Sequence, residues 1–328
     1  MTFKLDSQRT DKLPVIDFDR VGLIDGFGQW MLDESGLLRI EGKGDMPDFE
    51  RGRECNDYSS APYDHARGNI ESIWISEGVT RIGNRAFGGF SNLRSVTIPD
   101  SVTAIGSCAF ANCRRLTEVS IPDSVTAIEE GAFFDCESLD SITIPGSVTC
   151  IGEKAFCACH SLRSIHICDG VRSIGKKAFE YCCRLSSVTI PDGVIKLGMG
   201  TFGFCRSLTD VCLPNSVTSI EEGTFFDCNS LTGINIPDSV TAIGKRAFWG
   251  CNSLRSIAIP DGVTSIGEKA FSDCSSLRSI TIPDSVTTIG EGAFQHCEKL
   301  KRVKMPGKLN RLFFKEYYGI SRRYVRFT

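Results

Sequence analysis

Apolar residues recur along this chain on a fixed beat of 23 residues. Each unit opens on a leucine, from Leu93 and Leu116 through to Leu300. Valine or isoleucine follows three residues later (Val96, Val119, Ile142) and isoleucine two beyond that (Ile98, Ile121, Ile144). Leu-x-x-Val-x-Ile ends in a two-residue alternation of β-branched side chains, which predicts a short strand. Proline ends it, because it has no N–H to donate to a ladder, and Pro-Asp-Ser or Pro-Asp-Gly supplies turn chemistry. Val-Thr-x-Ile-Gly then predicts a second short strand. Its glycines, among them Gly83, Gly106, Gly152, Gly175, Gly198, Gly244, Gly267 and Gly290, are expected at positive φ, although Glu129 and Glu221 interrupt the row. Ala-Phe-x-x-Cys closes the unit, its spacing suiting one helical turn.

A repeat of this length specifies a solenoid. The expected fold is a leucine-rich-repeat-like, right-handed coil of about ten units, each with two short strands and a helical or 3-10 turn. At a strand spacing of about 4.8 Å the stack would run roughly 50 Å. No unit can bury its apolar face alone, so one core grows by nearest-neighbour stacking. Three segments follow: 1–69, an N-terminal region with a capping hairpin formed by Trp30 to Ile40 around Asp-Glu-Ser-Gly; 70–306, the solenoid; and 307–328, a degenerate C-terminal cap. Residues 41–69 read as loop. In the last segment Leu309, Leu312 and Tyr317 keep the beat, Ile320 replaces cysteine, and Tyr324 to Phe327 close the end. Cys168 stands where the proline beat fails, which marks coil 162–184 for irregularity.

Charge changes this picture only at the ends. The net charge of −3 hides ten bases and one acid between Lys299 and Thr328, against nine bases and fourteen acids in residues 1–70. A basic end can steer an anionic partner, but charge runs usually mark a solvated face. Nine of the sixteen cysteines form a ladder from Cys113 to Cys297. They match no zinc spacing and are expected to be buried and reduced, as small hydrophobes, which favours a reducing compartment. The remaining cysteines are assigned no chemistry. No apolar run is long enough to span a membrane, and the first residues carry no apolar signal segment.

The outward strand positions hold serine and threonine with scattered arginines: Arg94, Arg163, Arg255, Arg278 and Arg302. After the phenylalanine row come Phe134, Tyr181, Phe204, Phe226 and Trp249, where other coils hold small or polar residues. Aromatics and arginine enrich interfaces, so these ten residues are the candidate binding positions. Stacking between coils is the competing reading for the aromatics. Catalysis finds no motif: G-x-x-x-x-G-K-[ST] and H-E-x-x-H are both missing. His160 and His166 near Cys157, Cys159 and Cys182 offer only a remote Cys/His pairing. No catalytic residue, metal ligand or cofactor is expected.

Residues 70–306 resemble the BspA-like leucine-rich repeat family, the Treponema pallidum type, through Leu-x-x-Ile-x-Ile-Pro-x-Ser-Val-x-x-Ile-Gly-x-x-Ala-Phe-x-x-Cys. The resemblance extends to Trp30-x-Leu-Asp-x-x-Gly-x-Leu-x-Ile-x-Gly-x-Gly-x-Met46 and Ser60-Ala-Pro62, which look like a bacterial capping segment. No asparagine ladder is present, so the asparagine-stabilised loop of ordinary leucine-rich repeats should be absent. The resemblance implies a non-enzymatic protein-interaction or adhesion scaffold. Its partner would be a host or microbial surface protein, and its location secreted or cell surface. A cytoplasmic location is the alternative, given the missing signal segment. A carbohydrate-binding surface and a self-assembling structural solenoid are the alternative functions. Nucleic acid is not the expected partner.

Overall fold

A computed structural model describes residues 18–49, 59–309 and 318–328. The repeat builds stacked coils whose leucine, isoleucine and phenylalanine rows form one continuous buried core. First strands such as Ser141–Ile144 and Ser164–Ile167 pair in parallel with each residue opposite its repeat equivalent. Second strands are two-residue ladders that run from Gly44–Asp45 to Lys196–Leu197, then from Ser219–Ile220 to Thr288–Ile289. The first-strand row is interrupted at 117–121 and 232–236, which are not strand. Gly233 falls inside the second gap, where a residue without a side chain weakens a strand.

The third side of each coil is not a helical turn. Residues two before and two after each core phenylalanine take positive φ, for example Lys177 at 57° and Tyr181 at 63° around Phe179. That alternation prevents a helix and turns every second N–H toward the next coil. Three such bonds cross every junction from Arg85 to Asp273; at one, Lys177, Phe179 and Tyr181 donate to the carbonyls of Met199, Thr201 and Gly203 at 2.8–2.9 Å. Inside this wall the phenylalanines from Phe87 to Phe294 stack near parallel, with centroids 5.3–5.9 Å apart. Each ring is fully buried, worth about 1.5–3 kcal/mol, with about 0.5–1.5 kcal/mol more for each ring pair.

The glycine row serves close approach, not positive φ. None of its eight glycines has a positive φ. A Cβ at Gly175, Gly244 or Gly267 would lie 2.5–2.6 Å from backbone of the preceding coil. Glu129 is accommodated with its N–H still bonded to Ile105, 3.0 Å, and its carboxylate held by Ser107 and Arg81. Glu221 is accommodated differently, as described below.

The cysteine ladder has a polar reason as well as an apolar one. Each thiol from Cys113 to Cys297 donates to the phenylalanine carbonyl 26 residues earlier, at 3.0–3.3 Å. Burial pushes the thiols of Cys113, Cys136, Cys182, Cys205 and Cys228 well above the usual cysteine range. The nine ladder cysteines are free thiols, whereas Cys108, off the ladder and assigned no chemistry from the sequence, is disulfide-bonded. Serine replaces the asparagine of ordinary leucine-rich repeats. Ser101, Ser124, Ser147, Ser216, Ser239 and Ser285 donate to a valine carbonyl of the preceding coil at 2.6–2.8 Å.

At the N-terminal end Gly28–Asp33 and Leu37–Gly42 form the expected hairpin, with Trp30 opposite Ile40. Asp33 Oδ1 accepts from Ser35 N, Ser35 Oγ and Leu37 N at 2.7–2.9 Å, closing the turn. The sequence reading missed a third strand, Phe18–Ile24, antiparallel to the hairpin. Residues 41–69 are also more than loop: Gly44–Asp45 is bridged to the second-strand row and Asp64–Asn69 is a 3-10 helix. At the other end Val325–Phe327 pairs with Arg302–Met305, and buried Tyr318 accepts the Phe294 N–H at 3.0 Å. Leu312 and Tyr317 lie outside the described residues. The Cys168 coil carries the expected irregularity: its strand Ser164–Ile167 pairs with Ser141–Ile144 but not with Ser187–Thr189 of the next coil. Freed from proline, the Cys168 N–H donates to Ile144 at 3.1 Å.

Two outcomes test this packing. Gly267→Ala should lower stability by about 1–3 kcal/mol in urea unfolding. Gly233→Ala, with nothing within 4 Å of the added methyl, should stay within about 0.5 kcal/mol. A thiol reagent should modify exposed Cys150 and Cys212 in the native protein but reach Cys136, Cys182 and Cys228 only after unfolding, as read by peptide mass spectrometry.

Candidate functional site

The aromatic candidates sit on the turn side of the coils. Tyr181 and Phe204 occupy the position two after the core phenylalanine, at φ 63° and 60°. Other coils fill that position with Gly89, Asn112, Asp135, Ala158, Asp227, Gly250, Asp273 and His296; apart from Ala158, these are residues that tolerate a left-handed backbone most readily. Such a conformation costs a side-chain-bearing residue about 1–2 kcal/mol. Phe226 and Trp249 sit one position earlier in their coils. The four rings nevertheless join into one strip. Tyr181 stacks on Phe204 at 4.3 Å, Phe204 meets Phe226 tilted at 5.0 Å, and Phe226 stacks on Trp249 at 4.5 Å. Phe134 makes no ring contact with them and stands apart. Ring faces are turned toward one another along the stack, so the strip shows mainly edges to solvent. Tyr181 at its end is the most open, 38% exposed.

The strip crosses the one junction where the second-strand ladder breaks. Thr218 does not donate to Ile195, nor Glu221 to Leu197, although the equivalent bonds Thr241 to Thr218 and Gly244 to Ile220 are present one coil later. The turn-side bonds of the same junction persist, Gly200 to Glu222 and Phe202 to Thr224 at 2.8–2.9 Å. Two substitutions coincide here. Glu221 stands in the glycine row, its carboxylate turned back onto Ser219 Oγ at 2.6 Å. Ile195 stands in a threonine row whose hydroxyls elsewhere bond the preceding coil at 3.0–3.3 Å. Ile195 is 67% exposed and Met199, four residues on, 42%. Sequence reading missed both. Each is an apolar residue in a row that is otherwise polar or small, and scanning the rows for such departures would have found them.

The arginine candidates lie on the opposite, strand side and do not join the aromatics. Arg94 pairs with Glu71 and Arg163 with Asp140, each from the preceding coil, at 3.5 and 3.3 Å. Arg255, Arg278 and Arg302 are exposed and have no ion-pair partner among the described residues. Between Ser95 and Cys168 the strand side holds a shallow cleft of about 600 Å³ lined by Thr97, Glu118, Ser120, Ser141 and Thr143. It follows the gap in the first-strand row.

Nucleophile chemistry finds little footing. Cys157, Cys159 and Cys182 are buried with raised pKa, Cys157 pushed up to about 12 by burial and by the neighbouring Glu180. Half-buried Cys183 lies 3.8 Å from His160 Nδ1, but burial raises that thiol too, and the same nitrogen is 3.0 Å from the Tyr181 carbonyl oxygen. Among the described residues no three His, Cys, Asp or Glu side chains converge for a metal. No helix there is long and apolar enough to cross a membrane.

A model of the BspA-type leucine-rich repeat region matches residues 62–182, 131–255, 172–301 and 218–326 in overlapping copies. Comparison with curated proteins finds no match. Among solved structures the chain is similar to a leucine-rich cell surface protein from Faecalibacterium prausnitzii, with 29% identity over 89% of this chain and 90% of that one and a TM-score of 0.53. The pneumococcal vaccine antigen PcpA is 18% identical over 89% of this chain and 82% of its own, TM-score 0.52, a likeness of fold. A leucine-rich repeat protein from Bacteroides ovatus is 26% identical over 96% and 98%, TM-score 0.48. With repeat, cap and ladders in place along most of its length, the chain belongs to the BspA-type leucine-rich repeat family.

Proposed function

We propose that the protein is a non-enzymatic protein-binding scaffold that engages its partner through the turn side of coils 179 to 249. The observation that carries this reading is the placement of Tyr181 and Phe204. Two large rings stand at a backbone position that most other coils give to residues tolerant of positive φ, and they stand there partly exposed. The backbone conformation is common to every coil, so the departure here is the large ring, which the turn-side ladder does not require. Edge-on rings beside exposed Ile195 and Met199 suit the apolar core of a protein interface. They suit a sugar less well, because sugars stack on open ring faces and here only the two ends of the strip offer one. The resemblance to a cell surface protein supports adhesion at a surface as the setting.

The two strained residues permit a clean test. Replacing Tyr181 and Phe204 by asparagine, the residue at Asn112, relieves about 1–2 kcal/mol of backbone strain each and removes ring pairs worth about 0.5–1.5 kcal/mol. The double variant should therefore unfold within about 1 kcal/mol of the parent. A photo-crosslinking amino acid at Tyr181 should give a saturable adduct with a host or microbial surface protein. The same probe at Asp273, which holds the equivalent position two after Phe271, should not. Adducts of equal yield at both positions, or none at either, would defeat the proposal.

A further inference from the structure

The strand side of the last coils stacks cation upon cation. Arg255, Arg278 and Lys301 follow the unit leucine in three successive coils, and their backbones are bonded in register. Arg278 N–H donates to Arg255 and Lys301 N–H to Arg278, both at 3.2 Å. In the adjoining outward columns Arg302 faces Ser279, while Lys304 lies directly opposite Arg326. All six cations are exposed, and none has an ion-pair partner among the described residues. Like charges set directly across a ladder destabilise it. The same arginine column is neutralised elsewhere, at Arg94 by Glu71 and at Arg163 by Asp140. Solvation of an end cap does not require this arrangement, since it is served as well by dispersed charges. Beside the column runs a shallow groove of about 250 Å³ lined by Ser256, Ala258, Ser279 and Thr281.

We propose that this face binds a linear acidic polysaccharide, sulfated or carboxylated, laid along the solenoid axis. The cations recur once per coil, about every 4.8 Å, close to the advance of one pyranose unit. An extended acidic peptide at about 3.4 Å per residue would present its same-side carboxylates about 6.8 Å apart, out of step with the column. Single-stranded nucleic acid is held by stacking its bases on aromatic side chains, and the groove offers none. Its serine and threonine hydroxyls match sugar hydroxyls. Asp261 and Asp284, in the exposed turns that follow the strands, repel anions and confine the chain to the cation column. This face is separate from the aromatic strip, so either site can fail without the other.

The test titrates the full chain with a heparin-derived decasaccharide, an oligogalacturonate and neutral dextran at low ionic strength. Oligothymidylate and polyglutamate are the competing polyanions. At least one acidic saccharide should bind and dextran should not. Arg255→Ser/Arg278→Ser/Lys301→Ser, which installs the residue found at Ser186 of the same column, should weaken binding more than about tenfold. It should also lower the slope of log affinity against log salt by about 2–3. Arg94→Ser/Arg163→Ser should stay within about twofold of the parent. Lys304→Thr, which copies Thr281 from one coil earlier, gives an independent loss if the triple variant unfolds by circular dichroism. The proposal falls if neither acidic saccharide binds the parent, if the control variant loses as much as the triple, or if oligothymidylate or polyglutamate binds as tightly as the saccharides.

Discussion

The backbone-to-backbone approach of adjacent coils governs the rest of this molecule. It is set where the glycine row lets one coil lie against the preceding one with no Cβ between them. Held at that distance, strands bond strands, serine and cysteine side chains reach carbonyls of the preceding coil, and phenylalanine rings meet face to face. Sequence periodicity matters because each of these contacts joins a residue to its equivalents one repeat away. One departure in a row is therefore felt at a junction rather than within a coil. The Glu129 junction keeps its ladder because neighbouring groups take the carboxylate. The junction at Glu221 and Ile195 does not, and there the turn-side bonds and the aromatic strip maintain continuity.

Much of the core was legible because burial here follows one period. Every unit leucine from Leu93 to Leu300 and every core phenylalanine, one per coil from Phe87 to Phe294, is buried where the repeat puts it. The conformations between those anchors were less legible. Ala-Phe-x-x-Cys has helical spacing, but spacing does not report the sign of φ, and residues as varied as Lys177 and Tyr181 take the left-handed state because it frees alternate N–H groups for the next coil. The glycine row was visible while its reason was misjudged: close approach depends on the neighbouring coil, which no single unit displays. Cys168 gains a hydrogen bond to the preceding coil while the first-strand pairing breaks after its own coil, and the second-strand break at 195–221 rests on two unremarkable letters.

The candidate surfaces show the same division. The sequence placed five aromatics near one another by counting positions, yet ring stacking depends on whether a side chain stands one or two residues past the core phenylalanine. Tyr181 and Phe204 stand two past, Phe226 and Trp249 one past, and the stack spans that change. Phe134 has the right residue type but no ring partner in the coils beside it. For the arginines the deciding fact is the partner one coil earlier: Glu71 and Asp140 neutralise two of them, and no acid does so for Arg255, Arg278 or Arg302.

The turn-side ladder has an electrical consequence. In each of its peptide units the carbonyl points toward the preceding coil and the N–H toward the next, so the units lie parallel along the rod instead of alternating as in an ordinary sheet. Each carries about 3.5 D, and three repeat at every junction. The molecule therefore has a permanent axial dipole with its positive pole at the C-terminal end. That end also carries the excess of lysine and arginine, while the first 70 residues are acidic. Backbone and side-chain charge add rather than cancel, and a negatively charged surface would meet this rod end-on, basic pole first.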